Sequence, residues 1–418
     1  MGCTSSHPMD EAKGSAISRS VPAGKSQQNY HDSLKLLLAL IGDRTKRHAL
    51  ADLKGDQAKN MVEFLNQILD PGSEPYLQNP VARKNILHTL SSLVRSVLVL
   101  PESLKFAGLD DNLSEGLHSE GRFDNVYKKK DKEGRMVFIK VTRDMKTGTN
   151  IQGILRIHAK EAVLRAYMGL PNILPLYGAH ISDGTGGPKI WIVSPWMENG
   201  DLLTYRKGHP NLSLQLMADV ISGLNYLHEL AIIHGSLRAA NILVSSQGRA
   251  VLANFEVSRV SLADPGISDD SVGDIWWMAP ESLLMDSESV PTLASDIWSF
   301  ACTCYEILTG QTPFRHQGMT QAYLIRALGI GQGNIIPTWP VHINRNEAQI
   351  WDKVLTKCWK VRASERPDTA SILSALFKWT TVSSEKDELW NITRQKSGFT
   401  IKYEPVHNVL KEIQESTI

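Results

Sequence analysis

Two short stretches of the sequence decide the fold: His234-Gly235-Ser236-Leu237-Arg238-Ala239-Ala240-Asn241, and Asn254-Phe255-Glu256, which begins thirteen residues after Asn241. Both are rich in polar side chains, but Ser236, Asn241 and Asn254 are neutral. A serine hydroxyl has no basic form near pH 7, and magnesium prefers carboxylate and water oxygens as ligands. In these two stretches only Glu256 supplies a carboxylate. They therefore predict a polar site that is poorly equipped for acid–base or magnesium chemistry.

The composition is that of an ordinary globular protein. The 418 residues leave room for roughly two or three domains, and a net charge of +1 gives no reason to expect nucleic acid as a partner. Four cysteines show neither disulfide nor metal-ligand spacing, which favours a reducing, cytoplasmic compartment. No apolar run approaches the roughly 20 residues that a membrane-spanning helix needs.

The first residues carry a pattern for lipid attachment. Gly2 and Ser6 match the N-myristoylation motif once Met1 is removed, and Cys3 offers a thiol for palmitoylation. Because one myristoyl chain binds membranes only marginally, stable anchoring requires Cys3 as a second signal. The alternative is a Ser-rich tail that matches the motif by chance. We predict a disordered, acylated tail over residues 1–30, held at the cytoplasmic face of a membrane.

Helical periodicity occupies residues 31–112. Apolar residues recur at three-to-four spacing from Leu34 to Ile41, from Met61 to Leu69 and from Ile86 to Val97. The sequence therefore predicts an all-α region. It serves either as a scaffold packed on the next domain or as a module that binds a partner, and the sequence does not choose between them.

From about residue 113 the pattern changes to strands. Ser119, Gly121 and Asp124 stand at the three positions of a phosphate-covering loop that is normally glycine-rich, where an Asp adds negative charge. Lys140 ends the strand-like run Val-Phe-Ile-Lys. Glu161 follows in a helix-like run, at the spacing of a carboxylate that pairs with such a lysine.

Further motifs follow in order along the chain. They are the buried strand and linker Ile190-Trp191-Ile192-Val193-Ser194-Pro195-Trp196-Met197, then Trp277-Met278-Ala279-Pro280-Glu281, Asp296-Ile297-Trp298, Cys358-Trp359 and Arg366-Pro367. The complete set resembles a protein kinase domain over residues 113–380. Leu237-Arg238-Ala239-Ala240-Asn241 is similar to tyrosine kinases, while the Trp277–Glu281 and Cys358-Trp359 motifs are similar to the tyrosine-kinase-like group.

The resemblance implies an α+β fold of two lobes. A small β-rich lobe would cover about 113–197 and a large helical lobe about 198–380, with the all-α region before them and a C-terminal tail over 381–418. It also implies a buried ion pair between Glu281 and Arg366.

The resemblance further implies site roles. Ser236 stands at the position of the catalytic Asp, with Arg238 and Asn241 in the same loop, and Asn241 and Asn254 stand at the metal-ligand positions. The implied nucleotide-binding residues are Gly121, Val126, Lys140, Glu161, Ser194, Trp196 and Met197. Ser194 would be a small gatekeeper that leaves a roomy pocket behind it.

The two substituted carboxylates predict a pseudokinase. Kinases position the substrate hydroxyl and the magnesium ions with these groups, and Ser236 and Asn254 substitute poorly for them. We therefore expect a scaffold or allosteric regulator at a membrane, which can bind ATP but holds magnesium weakly or not at all. Its expected partners are another kinase or a signalling protein and the membrane, but no nucleic acid.

Two rival hypotheses remain open. The first is an active, low-rate Ser/Thr or Tyr kinase that uses the carboxylate of Glu256 or of another residue. The second is a membrane effector whose N-terminal helices act and are restrained by the kinase-like domain.

Overall fold

A computed structural model describes residues 25–70, 79–106, 108, 115–121, 123–143, 150–184, 187–261, 275–283, 291–315, 318–329, 335–339, 343–380, 390 and 398–416. Gly2 and Cys3 lie outside these residues, so the lipid-attachment motif remains a prediction. Among the described helices, none combines the length and the apolar character that crossing a bilayer requires.

The secondary structure falls into three parts. The N-terminal helices are α1 (Lys25–Leu40), α2 (Arg44–Ala51), α3 (Gly55–Leu69) and α4 (Pro80–Val97). The small lobe contains β1 (Leu117–Glu120), β2 (Asp124–Lys130), β3 (Met136–Thr142), α5 (Ile151–Ala166), β4 (Gly178–Gly184) and β5 (Gly187–Pro195). The large lobe and C-terminal segment contain α6 (Leu202–Gly208), α7 (Ser213–Glu229), β6 (Ile232–Ile233), β7 (Ile242–Val244), β8 (Ala250–Leu252), β9 (Arg259–Val260), α8 (Pro280–Leu283), α9 (Leu293–Thr309), α10 (Gln321–Gly329), α11 (Arg345–Ile350), α12 (Thr356–Cys358), α13 (Thr369–Leu376) and α14 (Tyr403–Glu415). The predicted α+β fold, with its all-α N-terminal region, is confirmed.

The small-lobe sheet presents one face to the core and the other to the cleft between the lobes. Its five strands run antiparallel in the order β1-β2-β3-β5-β4. Val137, Ile139 and Val141 of β3 are buried with Trp191 and Val193 of β5. Because side chains alternate along a strand, Phe138 and Lys140 lie on the opposite face, toward the cleft.

Two short antiparallel strand pairs in the large lobe place the site loops side by side. β7 pairs with β8, and β6 pairs with β9. The first site loop, residues 234–241, connects β6 to β7, and the second, residues 254–256, follows β8. The Ala253 N–H donates to the Asn241 carbonyl at 3.0 Å, which fixes the distance between the two loops.

The C-terminal segment is not a tail over its whole length, so that prediction was wrong. α14 packs on α1, α2 and α3 and completes the N-terminal helical unit. Its buried face is formed by Tyr403, Val406, Val409, Leu410 and Ile413 at helical spacing. The Lys46 ammonium donates to the carbonyls of Ile413 and Ser416 at 2.6 and 2.5 Å, which satisfies the C-terminal end of the helix.

The N-terminal boundary also differs from the prediction. α1 begins at Lys25, so the tail predicted over 1–30 extends about five residues too far. The apolar spacing does not reveal α2, because it buries only Arg47 and Leu50. Asp43 caps this helix by accepting a hydrogen bond from the Lys46 N–H at 3.0 Å.

The helical unit is docked on the small lobe through α5. α4 lies along α5, and the Asn66 amide oxygen of α3 accepts a hydrogen bond from the Tyr167 hydroxyl at 2.7 Å. The Ser103 hydroxyl lies 3.2 Å from the same oxygen. Trp390, in the C-terminal segment, donates to the carbonyls of Leu170 and Ile173, shortly after α5 in the chain. The N-terminal helical unit is therefore attached directly to α5, the helix that carries Glu161.

Candidate functional site

Lys140 is the centre of the site, because its ammonium group lies among three carboxylates. Nζ is 3.1 Å from Glu161 Oε2 of α5, 2.5 Å from Glu256 Oε1 and 3.8 Å from Asp124 Oδ2 of β2. Burial by itself would lower the pKa of Lys140, but the negative charges of Glu161, Glu256 and Asp124 outweigh it and raise the pKa above its usual value. Lys140 is therefore a permanent cation, and two of its three donors are occupied by Glu161 and Glu256.

Glu161 links Lys140 to a second buried cation. Arg165 Nη1, one turn further along α5, donates to Glu161 Oε1 at 3.3 Å. Burial tends to raise the pKa of Glu161, yet the charges of Lys140 and Arg165 outweigh it and lower the pKa to about 2. The pair predicted from the spacing of Lys140 and Glu161 is thus assembled in space.

Arg165 also occupies the space behind Ser194. Its Nη2 donates to Ser194 Oγ at 2.5 Å and to the Pro175 carbonyl at 3.1 Å. Both side chains are buried. The roomy pocket expected behind a small Ser194 side chain is therefore wrong: a guanidinium group fills it.

Asp124 is held by α5 through His158. His158 Nε2 forms a short hydrogen bond with Asp124 Oδ1, and both residues are buried. Ligand atoms of Asp124, His158 and Glu256 lie within 4.8 Å of one another, a grouping that is able to surround a cation. The Lys140 ammonium already lies near both carboxylates of this group, 3.8 Å from Asp124 Oδ2 and 2.5 Å from Glu256 Oε1.

Ser236, Asn241 and Asn254 bind one another. Asn241 Nδ2 donates to the Ser236 carbonyl at 2.6 Å and to its Oγ at 2.9 Å. Asn254 Nδ2 donates in turn to Asn241 Oδ1 at 3.1 Å. The one amide oxygen of Asn241 thus has a donor, and this chain of neutral groups contains no base for a substrate hydroxyl.

Asn254 adopts a left-handed backbone conformation, with φ of 58°, which Asn tolerates better than most residues. Its Oδ1 is buried without a hydrogen-bond partner among the described residues. This amide oxygen is the neutral ligand that Asn254 offers to a metal ion.

The first loop is positioned by Asp296 at the start of α9. Asp296 Oδ2 accepts from the His234 N–H at 2.8 Å, and Oδ1 accepts from the Gly235 N–H at 2.9 Å. His234 Nε2 donates to the Ala253 carbonyl at 3.1 Å, while Nδ1 accepts from the Ser236 N–H at 3.3 Å. Burial lowers the pKa of His234, in keeping with this neutral pattern. Arg238 lies over the Trp277 ring, 5.6 Å from its centroid.

The roof of the cleft is formed by β2 and β3. Val126 pairs with Lys140, and Lys128 pairs with Phe138, so these four side chains share one face of the sheet. Lys128 Nζ lies 4.3 Å from the ring centroid of Trp196, in the linker between the lobes, and His118 contacts the same ring edge-on at 4.8 Å. Of the predicted nucleotide-binding residues, Met197 is buried beneath the linker, whereas Gly121 is at the exposed tip of the β1–β2 hairpin.

The donor set does not fit a magnesium–nucleotide complex. Magnesium requires near-octahedral oxygen ligands, of which carboxylates are preferred, but Asn241 Oδ1 and Glu256 Oε1 already accept bonds from Asn254 and Lys140. The buried amide oxygen of Asn254 remains as one neutral ligand. Magnesium is therefore expected to bind weakly here.

The sequence did not predict His158, Arg165 or Phe138 as members of the site. It also did not predict the contact of Asp124 with Lys140. A signal existed for His158 and Arg165. They lie three residues before and four residues after Glu161, which places all three on one face of α5. The Lys140–Glu256 contact has no such local signal, because 116 residues separate the two.

The sequence also matches known proteins. The family model for protein tyrosine and serine/threonine kinases matches residues 112–376. Serine/threonine-protein kinase STY17 of Arabidopsis thaliana is 29% identical over 229 residues, covering 53% of this chain and 37% of that protein. Mitogen-activated protein kinase kinase kinase 1b of Physcomitrium patens is 28% identical over 261 residues, covering 62% and 32%. Cytokinesis protein sepH of Aspergillus niger is 37% identical over 165 residues, covering 38% and 12%. The chain thus spans about a third of the length of the two plant relatives.

Proposed function

Because this chain belongs to the protein tyrosine and serine/threonine kinase family, we propose that it is a pseudokinase, which regulates a signalling partner through its conformation instead of through phosphoryl transfer. The observation that carries the proposal is the hydrogen-bonded set Ser236–Asn241–Asn254. Phosphoryl transfer depends on a carboxylate that accepts the proton of the substrate hydroxyl and on carboxylate-bound magnesium. Here neutral amides and a hydroxyl satisfy one another at those positions.

The expected loss of phosphoryl-transfer rate supports the proposal that the protein is inactive as an enzyme. A positioned general base contributes roughly 10²–10⁴ in rate, and typical kinases turn over at about 1–100 per second. Losing the base alone leaves on the order of one turnover per second at best. Weak magnesium retention lowers the rate further, although the two effects need not multiply.

The structural residues of the fold are retained, which suits a protein that works by conformation. Arg366 donates to both carboxylate oxygens of Glu281 at 2.6 and 2.7 Å. Glu306 Oε2 accepts from the Ala239 N–H at 2.9 Å and from Trp277 Nε1 at 2.7 Å, so the first site loop is tied to the core. These bonds hold the domain in one conformation, and a role that depends on conformation does not require catalysis.

The helical unit is the proposed regulatory input. α4 lies along α5, and α5 carries His158, Glu161 and Arg165 toward the cleft. A partner that moves the helical unit would therefore move the segment on which the Lys140 ion pairs depend. We assign the partner role to another kinase or signalling protein, with acylated Gly2 and Cys3 holding the chain at the cytoplasmic face of a membrane.

The second candidate is a low-rate kinase, and the intact Lys140–Glu161 pair favours it. It would require Glu256 to leave Lys140 and bind metal instead. The third hypothesis, a helical membrane effector, is less well supported, because the apolar faces of α3 and α14 are buried inside the helical unit.

Phosphoryl transfer from radiolabelled ATP to a generic protein substrate and to the chain itself tests the proposal. Lys140→Met serves as the matched control, because it removes the lysine that pairs with Glu161 in the cleft. We expect the two proteins to give the same background signal. Transfer by the natural chain that Lys140→Met abolishes would establish the low-rate kinase.

A further inference from the structure

We propose that the interlobe cleft is closed to nucleotides by two of the chain's own side chains, Glu256 and Phe138. Glu256 holds the Lys140 ammonium that a phosphate would otherwise bind, and Phe138 takes the space between Lys140 and the interlobe linker that a purine ring would need. The inference deepens the proposed function, on which it rests, by specifying what the cleft of this pseudokinase rejects.

The charges of the cleft disfavour a phosphate group. Three carboxylates, of Asp124, Glu161 and Glu256, lie within 3.8 Å of the Lys140 ammonium. The other buried cation, Arg165, is turned toward Glu161, Ser194 and backbone carbonyls. Asp124 is bonded to His158, and Glu161 and Glu256 already hold the Lys140 ammonium, so this cluster of described residues leaves no uncommitted cation for a phosphate group. A polyphosphate would therefore meet carboxylates instead of a free cation, at distances where Coulomb interactions in a protein are strong.

Glu256 is the carboxylate that most directly keeps a phosphate group from Lys140. Glu161 is bound to Arg165 as well as to Lys140, and Asp124 is bound to His158, so both have partners apart from the lysine. Lys140 is the partner that the structure gives to Glu256, in the closest of the three contacts. A nucleotide phosphate would have to displace this carboxylate and leave it nearby as a repelling charge.

Phe138 obstructs the other half of the cleft. It shares the cleft face of β3 with Lys140, two residues nearer to the linker, and pairs with Ser194 of β5. The ring is half-buried, yet it is absent from the hydrophobic clusters of the described residues. Along β3, Phe138 stands between Lys140 and Met136, whose carbonyl accepts a hydrogen bond from the Trp196 N–H of the linker, so it is on the face and at the position that a planar base would have to contact.

The entrance beside the linker is covered as well. Trp196 is contacted by Lys128 from β2 and by His118 from β1. Cation–π and edge-to-face contacts of this kind contribute modest attraction each, and together they join the roof of the cleft to the linker. The closed cleft keeps α5 bonded to Lys140 without a ligand, so the conformation of the domain is independent of nucleotide concentration.

Equilibrium dialysis of the full chain with radiolabelled ATP and radiolabelled adenosine, each with and without magnesium, tests the inference. The natural chain is compared with Glu256→Gly, Glu256→Gln, Phe138→Ala and the Glu256→Gly/Phe138→Ala double variant. Glu133→Gln is the matched control, because that carboxylate is exposed and lies outside the cleft. The thermal midpoint of each variant without ligand shows that it is folded.

We expect no binding of either ligand to the natural chain or the control at about 1 mM, the upper end of ordinary enzyme affinities. Removing the Glu256 charge should raise ATP affinity at least tenfold more than adenosine affinity. Phe138→Ala should raise both alike, and the double variant should bind ATP best. Micromolar binding of ATP to the natural chain, or folded variants that all fail to gain binding, would overturn the inference. ATP binding without Lys140-dependent transfer would overturn it while leaving the pseudokinase proposal intact, whereas such transfer would refute both.

Discussion

Lys140 and Glu256 form an ion pair across the interlobe cleft, with 2.5 Å between Nζ and Oε1. Glu256 comes from the loop after β8 in the large lobe, and Lys140 from β3 in the small lobe. The contact therefore joins the two lobes through the side chains of the chain itself. It also gives the lysine a second close carboxylate besides Glu161.

The ion pair should appear as energetic coupling between the two residues. Lys140→Met leaves Glu256 without its cation and takes one of two partners from Glu161, and breaking a buried pair in this way costs about 3–5 kcal/mol. Glu256→Gln should cost only about 1 kcal/mol, because Lys140 keeps Glu161. Since neighbouring groups are not additive, the double variant should lose at least about 1 kcal/mol less than the sum of the singles. Urea unfolding of the four proteins measures this, and strictly additive losses would contradict the pairing.

The Arg366–Glu281 pair should be essential for the large lobe. Arg366 is buried and donates to both oxygens of Glu281. Arg366→Ala should lower the free energy of unfolding by about 3–5 kcal/mol. Arg362→Ala is the control, because its side chain is 82% exposed in an ion pair with Glu365, and such pairs contribute about 0–1 kcal/mol. Equal losses from the two changes in denaturant unfolding would argue against a structural role for the pair.

His234 should make stability fall in mild acid. Its pKa is lowered from 6.5 by burial, despite the nearby Asp296. Below pH 6.5 the unfolded chain therefore takes up a proton that the folded chain excludes, and stability declines as the pH falls. His234→Gln should make the decline between about pH 6.5 and 5 shallower. An unchanged slope in His234→Gln unfolding curves would show that the ring is protonated in the fold.

α14 should be an integral part of the helical unit. Leu410 is fully buried, so Leu410→Ala should cost about 2–5 kcal/mol. Val81→Ala, at a side chain 64% exposed, should change stability by no more than about 0.5 kcal/mol. Hydrogen exchange should show faster opening of α1 and α3 in Leu410→Ala than in Val81→Ala. Unaltered exchange in these helices would mean that α14 packs independently.

The sequence predicts the parts of this structure that depend on local pattern and ordered motifs. The all-α N-terminal region follows from apolar spacing, and the two lobes and the Lys140–Glu161 pair follow from the resemblance of the ordered motifs to a kinase domain. Contacts between distant segments do not. Glu256 contacts Lys140 from the loop after β8, in which Asn254 adopts φ of 58°. No local sequence pattern predicts the direction of a side chain after such a turn.

Two further errors have the same physical origin. A small residue at Ser194 predicts open space, but Arg165 extends into it from another element. The apolar residues from Tyr403 to Ile413 do have helical spacing. This spacing predicts a buried helix face but does not identify the surface on which the face packs. That surface is supplied by α1 and α3, more than 300 residues away, as the 336-residue separation of Tyr403 and Gln67 shows.

The most direct test of the central claim is phosphoryl transfer after the missing groups are restored. Radiolabelled transfer is compared between the natural chain and the Ser236→Asp/Asn254→Asp/Glu256→Gly variant, each with and without Lys140→Met. We predict background signal for the natural chain and a gain of at least about 10² in the restored chain, which Lys140→Met removes. Lys140-dependent transfer by the natural chain, equal to that of the restored chain, would contradict the account.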